Sequence, residues 1–305
     1  MIITITLNAA LDRTQRIEHP LQVGKLNRAV SSHLEPGGKG INVSRAIKAL
    51  GGSSIALGFS AGTNGRIMKD MLTAADIHHD FVDIAGQLRV NTQIIDAQGG
   101  HTEVNEPGNK LDDSDFLRLL DRMENYLDEG NIFVLSGSTP PEFPLKNYRK
   151  LCKTIKKHGC KLIIDAQGEL LQEALRLIDE CKTCAVDKPS ADPEVVVHSA
   201  RKMLDMGAKA VCVSMGQEGA LLTAKDEPES LYVTTTPKIY DEGAVGTGDA
   251  MVGAIANAMH AGMKFDEVAR YAVAMGRACA RLAGTEMASL KKVYEVYETT
   301  QVYVL

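Results

Sequence analysis

IFVLSG (132–137), KLIIDA (161–166), TCAVDK (183–188) and AVCVSMG (210–216) recur through the second half of the chain, set among amphipathic stretches around 113–129, 144–158, 168–180 and 192–206. Short apolar strands alternating with helical periodicity predict a doubly wound α/β fold: a parallel sheet with helices on both faces, whose strands have no polar side to show. Ligands of such sheets bind at the carboxyl ends of the strands. Those ends carry SGS, Asp165, DKPS and SMG, all small or polar.

The first hundred residues have another texture. RTQRIEH (13–19), LNRAVSSHLEP (26–36), NTQIIDAQ (91–98) and HTEVNEP (101–107) alternate like strands but with polar interruptions. Gln98-Gly99-Gly100 suits a hairpin turn between the last two. These four segments predict a small antiparallel sheet, a lid inserted from about 12–36 and 89–107 into one domain spanning 1–305. Asn42 to Leu50 and Gly65 to Ala75 read as helices between them, and His78-His79 as a loop.

Of 305 residues, 44% are hydrophobic, 34 are basic and 39 acidic, giving a formal charge of −5. No dense basic stretch is present, so neither nucleic acid nor an anionic membrane is an expected partner. MIITITL enters a strand at once with no leader pattern, and no run approaches a membrane span. The six cysteines are scattered and mostly in apolar surroundings, which fits reduced thiols in a cytoplasm. The Cys181/Cys184 pair lacks the second pair or histidines that zinc needs.

Two glycine-rich segments carry chemistry. In AVGTGDAMVGAIANAMHAG (244–262), Gly246-Thr247-Gly248 forms a turn and Asp249 opens an apolar helix. Backbone N–H groups at such a helix start can cradle a phosphoryl group, and the carboxylate can take the proton of an attacking hydroxyl. The same residues also suit a plain N-cap. In EPGGKGIN (35–42), paired glycines admit a ligand to the backbone, Lys39 supplies a cation and Asn42 a sugar-binding amide; a simple turn is the other reading. Asp12, just past the first strand in LNAALD (7–12), is placed for sugar hydroxyls or for a surface turn, and Arg89 in LRVNTQ for a phosphate or for solvent. No Gly-Lys is followed by Ser or Thr, and no G-x-G-x-x-G follows the first strand, so a Walker loop and a nicotinamide-dependent oxidoreductase both lack their fingerprints.

Together these residues resemble the PfkB (ribokinase-like) carbohydrate kinase family over almost the whole chain. LNAALD resembles its N-P-x-L-D segment, EPGGKGINVSRAIKALGG its first signature, SGSTPPEFP its S-G-S-L-P-P-G turn, and AVGTGDAMVGA its second signature. RVNTQI and TEVNEPG are similar to the branch acting on phosphorylated ketoses, namely 1-phosphofructokinase and tagatose-6-phosphate kinase, with the minor 6-phosphofructokinase close by. The resemblance implies a ribokinase-like fold, often dimeric through the lid, using ATP and Mg²⁺ and in some members a monovalent cation. It implies Asp249 as base and Gly246, Thr247 and Gly248 as anion hole. Asp12, Gly38, Asn42 and Ser138 would hold the sugar, and Lys25, Lys39 and Arg89 its phosphate. Lys188, Ser190, Ser214, Gly216 and Gly219 would bind ATP, with Val273 and Gly276 in the adenine wall.

Three departures from the family pattern stand out. Ala9 replaces a proline and Thr247 an alanine. KPSADPE (188–194) stands where the family has K-P-N-x-x-E, with Glu194 one residue late, leaving Asp165 and Glu194 as the expected Mg²⁺ carboxylates. The expected reaction is phosphorylation of fructose 1-phosphate to fructose 1,6-bisphosphate, with tagatose 6-phosphate or fructose 6-phosphate as alternative acceptors. A non-catalytic sugar-phosphate or nucleotide sensor is the reading from another class that the altered segment motivates.

Overall fold

A computed structural model describes residues 1–177, 183–187, 192–235, 246–282 and 284–305. In chain order the elements are β1 (Ile2–Thr6), β2 (Ala10–Ile17), β3 (Ala29–Gly37), α1 (Lys39–Ala49), β4 (Ile55–Ala61), α2 (Gly62–Ala74), β5 (His78–Ile84), β6 (Arg89–Ile95) and β7 (His101–Asn105). There follow α3 (Asp113–Glu124), β8 (Ile132–Ser136), α4 (Leu145–Lys157), β9 (Lys161–Asp165), α5 (Gly168–Leu177), β10 (Thr183–Asp187), α6 (Pro193–Asp205) and β11 (Ala210–Ser214). The chain closes with β12 (Ala220–Ala224), β13 (Leu231–Thr235), α7 (Thr247–His260), α8 (Phe265–Cys279), α9 (Leu290–Tyr297) and β14 (Thr300–Val304).

Among the described residues the larger sheet has ten strands, ordered β14-β13-β12-β11-β10-β9-β8-β1-β4-β5. From β11 to β5 neighbouring strands pair in parallel, and β12, β13 and β14 extend the sheet antiparallel. The side-chain alternation of β1 sends Ile3 and Ile5 into one core layer and Ile2 into the other. The first layer is closed by α3 to α6, through residues such as Phe116, Leu151, Leu171 and Val196. The second is closed by α1, α7, α8 and α9. In α4, Tyr148, Leu151, Cys152 and Ile155 fall on one buried stripe at helical spacing. Four free thiols, Cys152, Cys160, Cys212 and Cys279, are buried as expected, while Cys181 lies outside the described residues.

The smaller sheet runs β3-β2-β6-β7. Its outer pairs are antiparallel and its central pair, β2 with β6, is parallel, because both strands leave the main sheet in the same direction. The expected turn at Gln98-Gly99-Gly100 is present: Asp96 accepts from the N–H of Gln98 at 2.9 Å and of Gly100 at 2.8 Å, and Gly99 takes φ +82°. One expectation fails. His78 and His79 open β5 instead of lying in a loop; the segment HHDFVDI pairs in parallel with β4 at the sheet edge, where polar side chains can reach water while Phe81 and Val82 stay buried.

The site depends on how closely α1 meets α7. Gly253 of α7 lies so close to α1 that an added Cβ would sit 2.6 Å from the Ala46 Cβ and 3.0 Å from the Val43 carbonyl oxygen. Gly253→Ala is therefore expected to lower the urea midpoint. Overpacking at such a contact costs about 1–3 kcal/mol, against a helix-propensity gain of at most about 1 kcal/mol. An unchanged or raised midpoint would show that the two helices can part without cost.

Candidate active site

A cleft of about 890 Å³ lies between the carboxyl ends of β1, β8, β9 and β11, the starts of α1 and α7, and the lid. At its centre Asp249 occupies the first turn of α7. Gly246, the residue before the helix, adopts the left-handed conformation (φ 84°), which turns the chain sharply into α7. The leading N–H groups of a helix have no partner within it and carry partial positive charge. Nothing lies within 4 Å of where a Gly248 Cβ would be, so this turn is open to the cleft.

Asp249 is buried, and its two oxygens are held by different groups of α1. Asn42 Nδ2 donates to Oδ2 at 2.9 Å, and Lys39 Nζ pairs with Oδ1 at 3.2 Å. Lys39 also reaches Asp165 Oδ2 at 3.4 Å, and that oxygen accepts from Ser136 Oγ at 2.7 Å. Burial pushes the Asp249 carboxyl up to about 6; the Lys39 charge and the Asn42 hydrogen bond oppose this, while Asp165 adds to it. Lys39 moves upward as well: burial alone would lower it, but the two carboxylates outweigh that and keep it charged.

Farther into the lid, Asp12 is buried and accepts from Asn91 Nδ2 at 2.9 Å; desolvation raises its pKa above the usual carboxylate value. A Cβ at Gly37 would fall 2.3 Å from the Asp12 carboxylate, so a larger residue there would displace that side chain. Gly38 precedes α1 at φ 102°. The Arg89 guanidinium lines the cleft but donates to backbone carbonyls, Asn8 and Glu106 at 3.0 Å and Ala9 at 3.4 Å. Asn8 spans to Ser138 Oγ at 3.5 Å.

The opposite end of the cleft is lined by Ser214, Gly216, Gly219, Val273 and Gly276. Gly219 (φ 115°) packs against the Val233 carbonyl, where a Cβ would come within 2.0 Å of the oxygen. Buried Arg277 donates to the Gly216 carbonyl at 2.9 Å.

Of the residues singled out in the sequence, the structure gathers Asp12, Gly38, Lys39, Asn42, Arg89, Ser138, Asp165, Ser214, Gly216, Gly219, Gly246, Thr247, Gly248, Asp249, Val273 and Gly276 on this one cleft. Lys25 lies in the exposed connection between β2 and β3, outside the cleft lining of a single chain. Glu194 sits in the first turn of α6, after the capping Asp192, also outside the lining. Lys188 and Ser190 fall outside the described residues. Sequence reading missed Asn91, Gln93, Glu103 and Asn105, which also line the cleft, whereas Arg277 there belongs to the stretch 273–277 that resembles the family's adenine-pocket wall. The period-two spacing of Arg89, Asn91 and Gln93, and of Glu103 and Asn105, was the available signal. Among the described residues no three or more His, Cys, Asp or Glu side chains could together hold a metal ion, and no helix is long and apolar enough to cross a membrane.

The family model described as pfkB family carbohydrate kinase matches residues 3–292. The chain is 32% identical over 291 residues to 1-phosphofructokinase of Bacillus subtilis (strain 168), with 92% of each chain covered. It is 31% identical over 306 residues to ATP-dependent 6-phosphofructokinase isozyme 2 of Escherichia coli (strain K12), with 97% of each covered. Among solved structures, phosphofructokinase-2 from Escherichia coli in complex with potassium aligns with a TM-score of 0.91 at 28% identity, over 97% of this chain and 98% of that one.

A proton acceptor must be ionised to work. With Asp249 near 6 in the free protein, kcat/KM is expected to be level above that pH and to fall about tenfold per unit below it. A profile that stays level down to about pH 4.5, nearer the ordinary carboxylate value, would remove Asp249 as the titrating base.

Proposed function

The chain belongs to the pfkB family of carbohydrate kinases, and from that premise we propose that it transfers the γ-phosphoryl group of ATP to a hydroxyl of fructose 1-phosphate, giving fructose 1,6-bisphosphate and ADP. The observation that carries this reading is the buried Asp249 carboxylate at the open start of α7, in one cleft with the polar lid residues around Asp12.

In this reading Asp12, Gly38, Asn42 and Ser138 orient the sugar, and Arg89 and Lys39 meet its existing phosphate, with Lys25, outside the lining of a single chain, joining them only across a lid dimer. Asp249 removes the proton of the attacking hydroxyl as the new O–P bond forms and the bond from the γ-phosphorus to the β–γ bridging oxygen breaks. The N–H groups of Gly246, Thr247 and Gly248 take up charge on the transferring group, which is where phosphoryl transfer needs it. Ser214, Gly216, Gly219, Val273 and Gly276 form the nucleotide end, joined by Lys188 and Ser190. The lid keeps water from competing with the sugar.

Mg²⁺ is part of the proposal. The described residues offer two carboxylates flanking Lys39 and no larger cluster. That suits an ion that keeps several waters and binds through one or two carboxylates and the nucleotide's phosphates. Asp165, on the cleft, would hold it, and Glu194, outside the lining, would reach it only through intervening waters; when bound the ion would neutralise phosphate charge. The potassium-bound relative supports a monovalent cation as a further ligand. A homodimer joined through the lid and a cytoplasmic location complete the reading.

The similarity to a 6-phosphofructokinase makes fructose 6-phosphate the second acceptor to consider. ADP release with MgATP against fructose 1-phosphate, tagatose 6-phosphate, fructose 6-phosphate and fructose is expected to give the highest kcat/KM for fructose 1-phosphate. A higher value for another acceptor would move the assignment to it. Asp249→Asn should lower kcat about 10²–10⁴-fold while ATP still binds. Equal turnover by variant and parent would sink the mechanism.

A further inference from the structure

One buried charged cluster has no part in the roles assigned so far, and it joins the lid to the α/β body. Glu35 in β3 and Arg45 in α1 form an ion pair whose side chains are only 12% and 14% exposed. Thr285, in the segment after α8 and itself buried, donates to Glu35 Oε2 at 2.9 Å and accepts from Arg45 Nη1 at 2.9 Å. The same Nη1 donates to Asn42 Oδ1 at 3.3 Å and to the Pro36 carbonyl at 3.5 Å. Asn42 presents its other end, Nδ2, to Asp249.

We propose that Arg45 is a positioning residue for phosphoryl transfer: by binding Asn42 Oδ1 it fixes which end of that amide faces the base, and Glu35 and Thr285 hold it there. An asparagine amide has a donor end and an acceptor end of nearly equal size, and only its partners decide which way it lies. A carboxylate accepts the donor end; the acceptor end would set one oxygen against another. Arginine has no acceptor, so the only end of the Asn42 side-chain amide it can bind is Oδ1. Three residues apart on one helix, Asn42 and Arg45 share a face, so the geometry follows from α1 itself. Arg45 has no contact with Asp249, so its effect runs through Asn42. Because Glu35 belongs to the lid, the position of β3 is passed to the hydrogen bond on the base through three side chains.

This inference rests on Asp249 being the base of the proposed kinase reaction. Arg45→Met leaves Glu35 without its cation, so the paired variant Arg45→Met/Glu35→Gln, which leaves no unpaired buried charge, is measured beside it. Either is expected to lower kcat about 10–100-fold on the best acceptor, the scale on which misplacing a catalytic group acts. Arg45→Lys should recover part of the loss. In a chain already carrying Asn42→Ala, Arg45→Met should cost no more than about twofold further. An equal cost with and without Asn42 is what general structural damage produces, and it would overturn the proposal.

A second measurement needs no substrate. The NMR signals of the Asn42 side-chain amide, identified by their loss in Asn42→Ala, should shift in Asp249→Asn. That response should vanish in the Arg45→Met/Glu35→Gln background. A response that persists there overturns the positioning role. If no ketose phosphate is turned over, the kinase reading fails, and the NMR comparison still decides whether Arg45 orients Asn42.

Discussion

The arrangement depends on a buried carboxylate, Asp249, that must keep its charge. Removing a carboxylate from water is costly unless its oxygens are paired. Here each oxygen has its own partner, and both partners come from the first turn of α1. That one requirement fixes a great deal. The starts of α1 and α7 must lie side by side, so the two helices pack with Gly253 against Ala46, where no larger residue fits. Gly246 must turn the chain abruptly to bring Asp249 into the first turn of its helix, and Gly38 does the same for Lys39. The left-handed turns and the small helix–helix contact serve one ion-binding geometry.

The two sheets divide the remaining work. The central strands β1, β8 and β9 of the large sheet are buried on both faces, and the carboxyl ends of β8, β9 and β11 make a floor carrying Ser136, Asp165 and Ser214. The lid has one face on the cleft and another away from it, and its cleft face carries Asn91, Gln93, Glu103 and Asn105. Buried polar atoms there, Asn91 Oδ1 and Gln93 Oε1 among them, have no hydrogen-bond partner among the described residues. Such acceptors are costly when left alone, and a hydroxyl-bearing ligand, as in the proposed reaction, would satisfy them. The cleft is thus polar at the lid and glycine-lined at the far end, matching a sugar on one side and a flat, backbone-contacted group on the other.

What the sequence disclosed follows from what is local. β8, β9 and β11 announced themselves because buried strands are continuous apolar runs, and the two glycine-rich turns because a helix start, a carboxylate and a cation lie within a few residues. The edge strand β5 was hidden because HHDFVDI shows water the polar pattern of a loop. The Glu35–Arg45–Thr285 cluster was hidden for another reason: Arg45 and Thr285 are 240 positions apart, and no periodicity links a lid strand to a segment beyond α8. Arg277 follows Gly276 in the stretch that resembles the family's adenine-pocket wall, but only the fold reveals that its side chain is buried against the Gly216 carbonyl.

Lys39 shows how a local reading and a tertiary one combine. Within EPGGKGIN it reads locally as a cation, and the family resemblance implies a phosphate contact for it, while its ammonium lies between Asp165 and Asp249. The two positions are compatible. An ammonium has three donors; two are directed at the carboxylates, and the side chain keeps 41% of its surface on the cleft, so a third can meet an incoming anion. Without Lys39 the Asp249 carboxyl would lose the cation that opposes its desolvation, and its pKa would rise further. The lysine therefore does two things at once. It keeps Asp249 ionised before any substrate arrives, and it presents a positive charge where a phosphoryl oxygen would come.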